Sequence, residues 1–432
     1  MKITSISLTC AMLVAAAATA QCQSATSATL TLGQAETIAI RQNPHVQIAN
    51  LVALAEGQVK REVRAADLPT LTGNLTAVDT HEGDRITAGG LNNPVVYQRA
   101  AGGVALSQLL TDFGRTHNLI RSADFQARAA VSNEAASRED ILLAVDIAFY
   151  HALASQAVLQ VAQQTVNARQ ATSDQVGALT NAKLRSSLDL SFANVDLQQA
   201  KLLLLDATND NQESQAALNA LLGEETPTTY ILVDETPTAP VPAPEDAAPL
   251  IQLAFQSRPD LASLNFQADA AQKFSAAERD LQRPTISALG VAGDAPVRAD
   301  QITTPWYGAA GVNMSIPIFN GFLFSARADE AKLRAQEASQ SVQQLRQTIA
   351  RDVTDTVLEA QSGFQRIDVT RQLLDQANSA FDLAQTRYKL GLSSIVELSQ
   401  AQLAQTQAQI EYASARYAYQ QTLAALRFQT GQ

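Results

Sequence analysis

Two periodicities divide this chain. In "GVNMSIPIF" apolar residues fall at every second position, Val312, Met314, Ile316 and Ile318, with Asn313, Ser315 and Pro317 between them. That is the period of a strand with one apolar face. Four such stretches, "PTLTGNLTAV", "GGVALSQLL", "PTISALGVA" and "GVNMSIPIF", predict strands over 70–79, 102–110, 284–292 and 310–319. The other period is helical. Leu398, Ala401, Ala404, Ala408, Tyr412, Ala415, Tyr419, Leu423 and Leu426 recur at steps of three and four, the repeat of a left-handed supercoil. No proline occurs between Pro94 and Pro227 or after Pro317, and Gly177 and Gly363 are the only glycines within 115–182 and 322–390. Long helices are therefore predicted over 115–182, 188–222, 322–390 and 395–430. The longest would span roughly 100 Å at 1.5 Å per residue, far beyond a globular domain.

These elements occur twice. "ETIAIRQNPHVQIAN" resembles "QLAFQSRPDLASLNFQ", "LPTLTG" resembles "RPTISALG", "LLTDFGR" resembles "PIFNGF", and "ALNALLG" resembles "ALRFQTG". The offset stays near 208 residues, so the chain reads as a tandem duplication with copies at 21–223 and 250–432. The join, 224–249, carries six of the fourteen prolines and reads as an extended linker.

The N-terminus adds a destination. A lysine, an apolar run and Ala18-Thr19-Ala20 form the pattern of a secretory signal over 1–20. Cys22 stands near the new N-terminus, where lipidation is conceivable, although Gln21 rather than a small residue precedes it. With Cys10 lost, the exported chain holds one cysteine and no internal disulfide. The net charge of −11 argues against nucleic acid as a partner. No run of eighteen consecutive apolar residues follows the signal, so entry into a membrane would be by strands. The predicted strands are long enough to cross a bilayer at a tilt, with aromatics near their ends: Tyr97, Trp306 and Tyr307 at one level, Phe113, Phe319, Phe322 and Phe324 at the other. Four strands cannot close a barrel, and an open edge in hydrocarbon is prohibitive, so several copies must share one barrel.

In order and in duplicate, "LTLGQAETIAIRQNP", the strand pairs ending in "DFGR" and "FNGF", the long helices, "YKLGLSSIVELSQAQ" and "ALNALLG" resemble the outer-membrane efflux protein family, the TolC-type exit ducts. The resemblance implies a mainly α fold with a β-barrel contribution, in which long antiparallel helical hairpins and four transmembrane strands per protomer build a trimeric α-barrel and β-barrel. It implies a homotrimer in the outer membrane with its helical tunnel in the periplasm. The partners it implies are a periplasmic adaptor, an inner-membrane transporter and outer-membrane lipid. Val312, Met314, Ile316 and Ile318 would face that lipid.

In the family the tunnel closes where the long helices turn back, here "NAKLRSSLDLSFAN" and "YKLGLSSIVELSQAQ". Ser394 and Glu397 also form a capping box, with Ser186 and Asp189 a shorter one, so both pairs serve to start helices. By the resemblance Glu397 would line a narrow, cation-attracting ring, weakened by Gln400 where many relatives are acidic. Asp189 and Tyr388 would link neighbouring helix pairs. Ser393 stands where relatives can carry arginine, and Arg185 of the first copy is the substitute. Leu390, Gly391 and Leu392 match the adaptor-docking tip, whereas Ala182, Lys183 and Leu184 lack its glycine.

No catalytic, phosphate-binding or metal-binding pattern is present. His45, His81, His117 and His151 are scattered and far from cysteine, and neither cofactor nor metal is expected. The competing readings are a trimeric, membrane-anchored structural stalk or adhesin without an open bore, and a soluble periplasmic scaffold.

Overall fold

The computed structural model describes residues 29–79, 99–226, 228–236, 240–297 and 304–432. The signal segment, Cys22, His81 and Tyr97 lie outside them. In the first copy β1 (Thr29–Leu30) leads into α1 (Leu32–Gln42) and α2 (Pro44–Ala65), then β2 (Thr70–Val78), β3 (Arg99–Thr111), α3 (Arg115–Asn181) and α4 (Ser187–Leu222). The second copy follows β4 (Ile231–Leu232) with α5 (Ala248–Ser257), α6 (Pro259–Arg279), β5 (Thr285–Val297), β6 (Trp306–Ser315), α7 (Leu323–Lys389) and α8 (Ile395–Thr430).

Local chemistry sets the ends of these elements. Thr31 and Gln34 form a reciprocal capping box at α1. Asn43 ends α1 and starts α2: its side chain accepts from the His45 N–H at 2.9 Å and donates to the Leu221 carbonyl at 2.8 Å. Proline at the first position of α2 and of α6 lacks only an N–H that would go unpaired there. The Asp112 carboxylate accepts from the N–H groups of Gly114 at 3.2 Å and Thr116 at 2.7 Å, which turns β3 into α3.

The four long strands form one antiparallel sheet in the order β2-β3-β5-β6, so β2 and β6 are its two open edges. Register places Leu71, Leu75, Val104, Leu106, Val312 and Met314 on one face, and all six are exposed. The other face carries Thr70, Thr72, Asn74, Thr76, Ser107, Ser287 and Asn313, interrupted by Leu109, Leu289, Val291 and Tyr307.

Strand bounds differ from the sequence expectation. β3 and β5 are each 13 residues long, because each is paired on both sides. β6 stops at Ser315, which leaves Ile316 and Ile318 outside the strand although both remain exposed. Pro317 explains the stop: it has no N–H to donate and restricts the residue before it. The proline-rich join is extended but pinned. Its Ile231 and Leu232 pair in parallel with Thr29 and Leu30, Asp234 accepts from Tyr417 Oη at 2.8 Å, and the Val241 carbonyl accepts from Tyr419 Oη at 2.5 Å.

Below the sheet the helices lie side by side. Nearest the sheet the order is α2-α3-α6-α7, and farther away it is α4-α3-α8-α7. Between these levels sits the largest apolar core. α3, the described helix with an 18-residue window of membrane-like mean hydropathy (1.6), supplies it with Val145, Phe149, Ala152 and Leu153. Leu30, Leu218, Leu222, Leu232 and Tyr417 also belong to it.

Asp146 is buried beside this core, with Arg427 Nη2 at 3.4 Å from its carboxylate. Burial, reinforced by the neighbouring Glu36, outweighs the arginine and pushes the Asp146 carboxyl up to about 7. Between its unfolded value of 3.8 and about 7 the folded chain therefore holds a proton that the unfolded chain has lost. Stability falls as pH rises through that window. The thermal midpoint of the protein in detergent should drop between about pH 4 and pH 7, and Asp146→Asn should flatten that slope.

The two copies also meet their own beginnings in the same way. Gly223 (φ +79°) ends α4, and a Cβ there would lie 2.8 Å from the Gln42 carbonyl oxygen. Gly431 (φ +71°) ends α8 and would place a Cβ 3.0 Å from the Arg258 nitrogen. Gly391 (φ +74°) has open space around it. Alanine at 391 should lower stability by about 1 kcal/mol through backbone strain alone. Alanine at 223 or 431 should lower it by roughly twice that, read as thermal midpoints of the three variants.

Candidate functional site: the paired helix tips

The two hairpins end in turns of the same geometry. After α7, the Leu392 N–H donates to the Arg387 carbonyl at 2.8 Å and the Gly391 N–H to the Tyr388 carbonyl at 3.0 Å. After α3, the Leu184 N–H donates to the Leu179 carbonyl at 2.8 Å and the Lys183 N–H to the Thr180 carbonyl at 2.9 Å. Both are Schellman turns, which require a left-handed residue. Gly391 supplies it at +74°, and Lys183, 208 residues earlier, adopts +59° without being glycine. The missing glycine therefore does not change the shape of the first tip.

Each following helix is capped as its sequence suggests. Ser186 Oγ accepts from the Asp189 N–H at 3.2 Å, and Ser394 Oγ accepts from the Glu397 N–H at 3.4 Å. Both turns expose apolar side chains: Leu184 and Leu188 on one, Leu390 and Leu392 on the other.

Tyr388 joins the hairpins. It is 3% exposed and packs with Val176, Ala193, Ile395 and Leu398, so all four long helices contribute to its surroundings. The Arg185 guanidinium lies over its ring at 4.5 Å, and Arg185 Nη2 donates to the Tyr388 carbonyl at 3.0 Å. Arg185 thus takes hold of Tyr388 across the seam. Asp189 makes no direct hydrogen bond to Tyr388; its charge acts on the phenol from nearby. Burial, more than Asp189, pushes the Tyr388 phenol up, against Arg185. Its Oη is buried without a partner, as is Ser393 Oγ.

Glu397 pairs with Arg387 Nε at 3.2 Å, and both side chains are about half exposed. Gln400 is exposed on the first turns of α8. Sequence reasoning missed Arg387, which reaches Glu397 across the turn with no local motif to announce it. It also missed the contact of Ser399 Oγ with the Asp196 carboxylate, a second tie between hairpins. The left-handed Lys183 had a signal: its fixed offset from Gly391.

The match that decides the family follows this geometry. The model of the outer membrane efflux protein family matches residues 38–224 and 250–432, one segment per copy. The chain belongs to the outer membrane efflux protein family. Among members, the solvent efflux pump outer membrane protein SrpC of Pseudomonas putida is 27% identical over 372 residues, covering 84% of this chain and 77% of that protein. The fold is that of solved outer-membrane channels. CusC superposes with a TM-score of 0.81 at 20% identity over 93% of this chain and 92% of that one. VceC of Vibrio cholerae does so with 0.79 at 19% identity over 93% and 96%. As a member of the family the protein is an outer-membrane component of efflux, with its long helices on the periplasmic side.

The tip geometry separates two side chains that a family reading treats alike. Tyr388→Phe removes a buried hydroxyl that has no partner and should leave the order of the tip unchanged. Arg185→Ala removes a cation–π contact and a charge-assisted hydrogen bond, together about 1–2 kcal/mol. Hydrogen exchange over 385–398 should accelerate in Arg185→Ala and not in Tyr388→Phe.

Proposed function

We propose that three copies close into one continuous duct that conducts solutes passively from periplasm to exterior and is gated at the helix tips. The observation that carries this reading is the pair of unlike edges. β2, α2 and α4 form one side of the protomer, while β6 and α7 form the other. Exposed leucines run along both, among them Leu51, Leu54, Leu202 and Leu205 on the first and Leu333, Leu358 and Leu383 on the second. Two different edges associate head to tail, and such contacts close into a ring when the rotation permits. Two copies would give eight strands, a barrel whose interior side chains fill. Three give twelve, with room for a bore.

The sheet faces support the same arrangement. The apolar face, including Val312 and Met314, would meet lipid, and the Thr- and Ser-rich face would line water. Ile316 and Ile318 would extend the apolar surface just past the end of β6.

At the other end Arg185 on Tyr388 would hold the hairpins together, and three Glu397 carboxylates would attract cations around the opening. Arg387 offsets part of that charge, and neutral Gln400 adds none. Asp189, with no side-chain tie of its own, would face the opening or the next protomer. The exposed Leu390-Gly391-Leu392 turn, with Leu184 and Leu188, would dock a periplasmic adaptor, which in turn engages an inner-membrane transporter that supplies the energy.

Planar-bilayer conductance of the detergent-purified protein tests this. Wild type should show small cation-selective steps. The Arg185→Ala, Tyr388→Ala double variant should show larger ones, and Glu397→Gln should lower cation selectivity. Stable oligomers that insert yet pass no current in any variant would overturn the duct in favour of a structural stalk.

A further inference from the structure

Arg169 lies in α3, twelve residues before the end of that helix, where the two hairpins face each other. It is 6% exposed, and its Nη1 is cut off from solvent without any acceptor. The carboxylate that acts on it, Asp196 of α4, is in contact with Ser399 Oγ instead. A buried guanidinium left this way is expensive. Nη1 is enclosed by this chain alone, and Arg169 also lines the space between the hairpins.

The guanidinium borders a cavity of about 140 Å³ between α3, α7 and α8. Its walls include Thr165, Gln402, Gln405 and Thr406, so the lining is polar and carries no carboxylate; the hydroxyls donate to the Val161 and Gln402 carbonyls, which leaves the amides as the donors. Thr165 Oγ1 and Thr406 Oγ1 stand 3.5 Å apart, Gln402 Nε2 reaches Thr172 Oγ1 at 3.5 Å, and Gln405 Nε2 donates to Asn378 Oδ1 at 3.0 Å, so each amide keeps a second N–H. The cavity is too small for a drug-sized molecule, which needs roughly 300 Å³ or more. One positive charge among neutral polar groups in a small space selects a small anion of single charge.

We propose that this cavity binds a chloride-sized monovalent anion, held by the Arg169 guanidinium and the side-chain amides of Gln402 and Gln405. Because Arg169 belongs to the first hairpin and both glutamines to the second, the anion ties the hairpins together above the tip. This site stands whether or not the duct reading holds.

The test compares the full-length protein in detergent in sodium chloride and in sodium gluconate at equal ionic strength. Chloride should raise the thermal midpoint saturably, by about 2 °C or more, as a ligand of the folded state does. Arg169→Gln should abolish the difference. Equal midpoints in the two salts, or the same shift in Arg169→Gln, would overturn the proposal. If that variant does not fold, crystals of the wild type grown in sodium bromide decide alone. An anomalous peak beside the Arg169 guanidinium supports the site, whereas a guanidinium bonded to Asp196 with no peak removes it.

Discussion

The constraint on which the structure depends is that one copy leaves two sheet edges unpaired. Within hydrocarbon each unpaired backbone amide costs several kcal/mol, and no side chain of the edge strands can replace a missing strand. β2 and β6 therefore need neighbours. The helices below repeat the problem, since α7 continues the β6 side and α2 and α4 continue the β2 side. The head-to-tail ring proposed above would satisfy strands and helices together. In the proposed ring each copy would contribute only part of a closed wall, and the same reasoning would account for exposed leucines on the outer helices rather than on α3, which is covered by α2, α4, α6 and α8.

The duplication shows what such a wall conserves. At the strand-to-helix turns the copies read Asp112-Phe113-Gly114 and Asn320-Gly321-Phe322, and both place two successive residues at positive φ. Phe113 (+56°) stands where the other copy has Gly321 (+63°), and Gly114 (+110°) where it has Phe322 (+65°). Phenylalanine and glycine have exchanged places while the backbone path has stayed. A left-handed phenylalanine costs roughly 1–2 kcal/mol, so surrounding contacts must hold it. Around Phe113 one is visible: its carbonyl accepts from Arg283 Nη1 at 2.7 Å. Lys183 and Gly391 repeat the lesson at the tips. The two copies keep the backbone path more closely than they keep any one side chain.

The same distinction explains what the sequence revealed. Fold class was legible because it rests on local signals: spans without proline, alternation in the strands, and capping serines at the tips. Even there the helical stripe was imperfect. Leu398, Ala408, Ala415, Tyr419 and Leu426 are buried as the repeat implied, but Ala404 is exposed, while Gln402 and Tyr417 are buried without belonging to the stripe. The repeat cannot anticipate them because α8 touches α3 on one side and α7 on another, and each neighbour claims its own row. Strand ends were less legible, since partner strands extend β3 and β5 and a proline shortens β6. Contacts between distant segments, such as Arg185 on Tyr388, Arg387 on Glu397 and the tyrosines that pin the join, leave no periodic trace.

Those distant contacts are not distributed evenly, and their gradient carries mechanical meaning. At the level of α1 and β4 the packing is apolar, with Phe149, Leu153, Leu218 and Leu222 fully enclosed. Each such side chain contributes roughly 1.5–3 kcal/mol, and burying it leaves no attractive alternative arrangement. Farther down, α3 and α4 meet α8 through Thr165 and Thr406, Thr172 and Gln402, and Asp196 and Ser399, until at the tip Val176, Ala193, Tyr388, Ile395 and Leu398 form a small apolar cluster that Arg185 covers. Polar contacts of this kind have a net value of about 0.5–1.5 kcal/mol, because water takes their place when they part. The seam is thus stitched by exchangeable bonds between two apolar contacts, a large belt above and a small cluster at the tip. In the proposed opening the smaller cluster and its Arg185 contact would have to part, and the larger belt above would favour movement of the tips over movement of the upper helices.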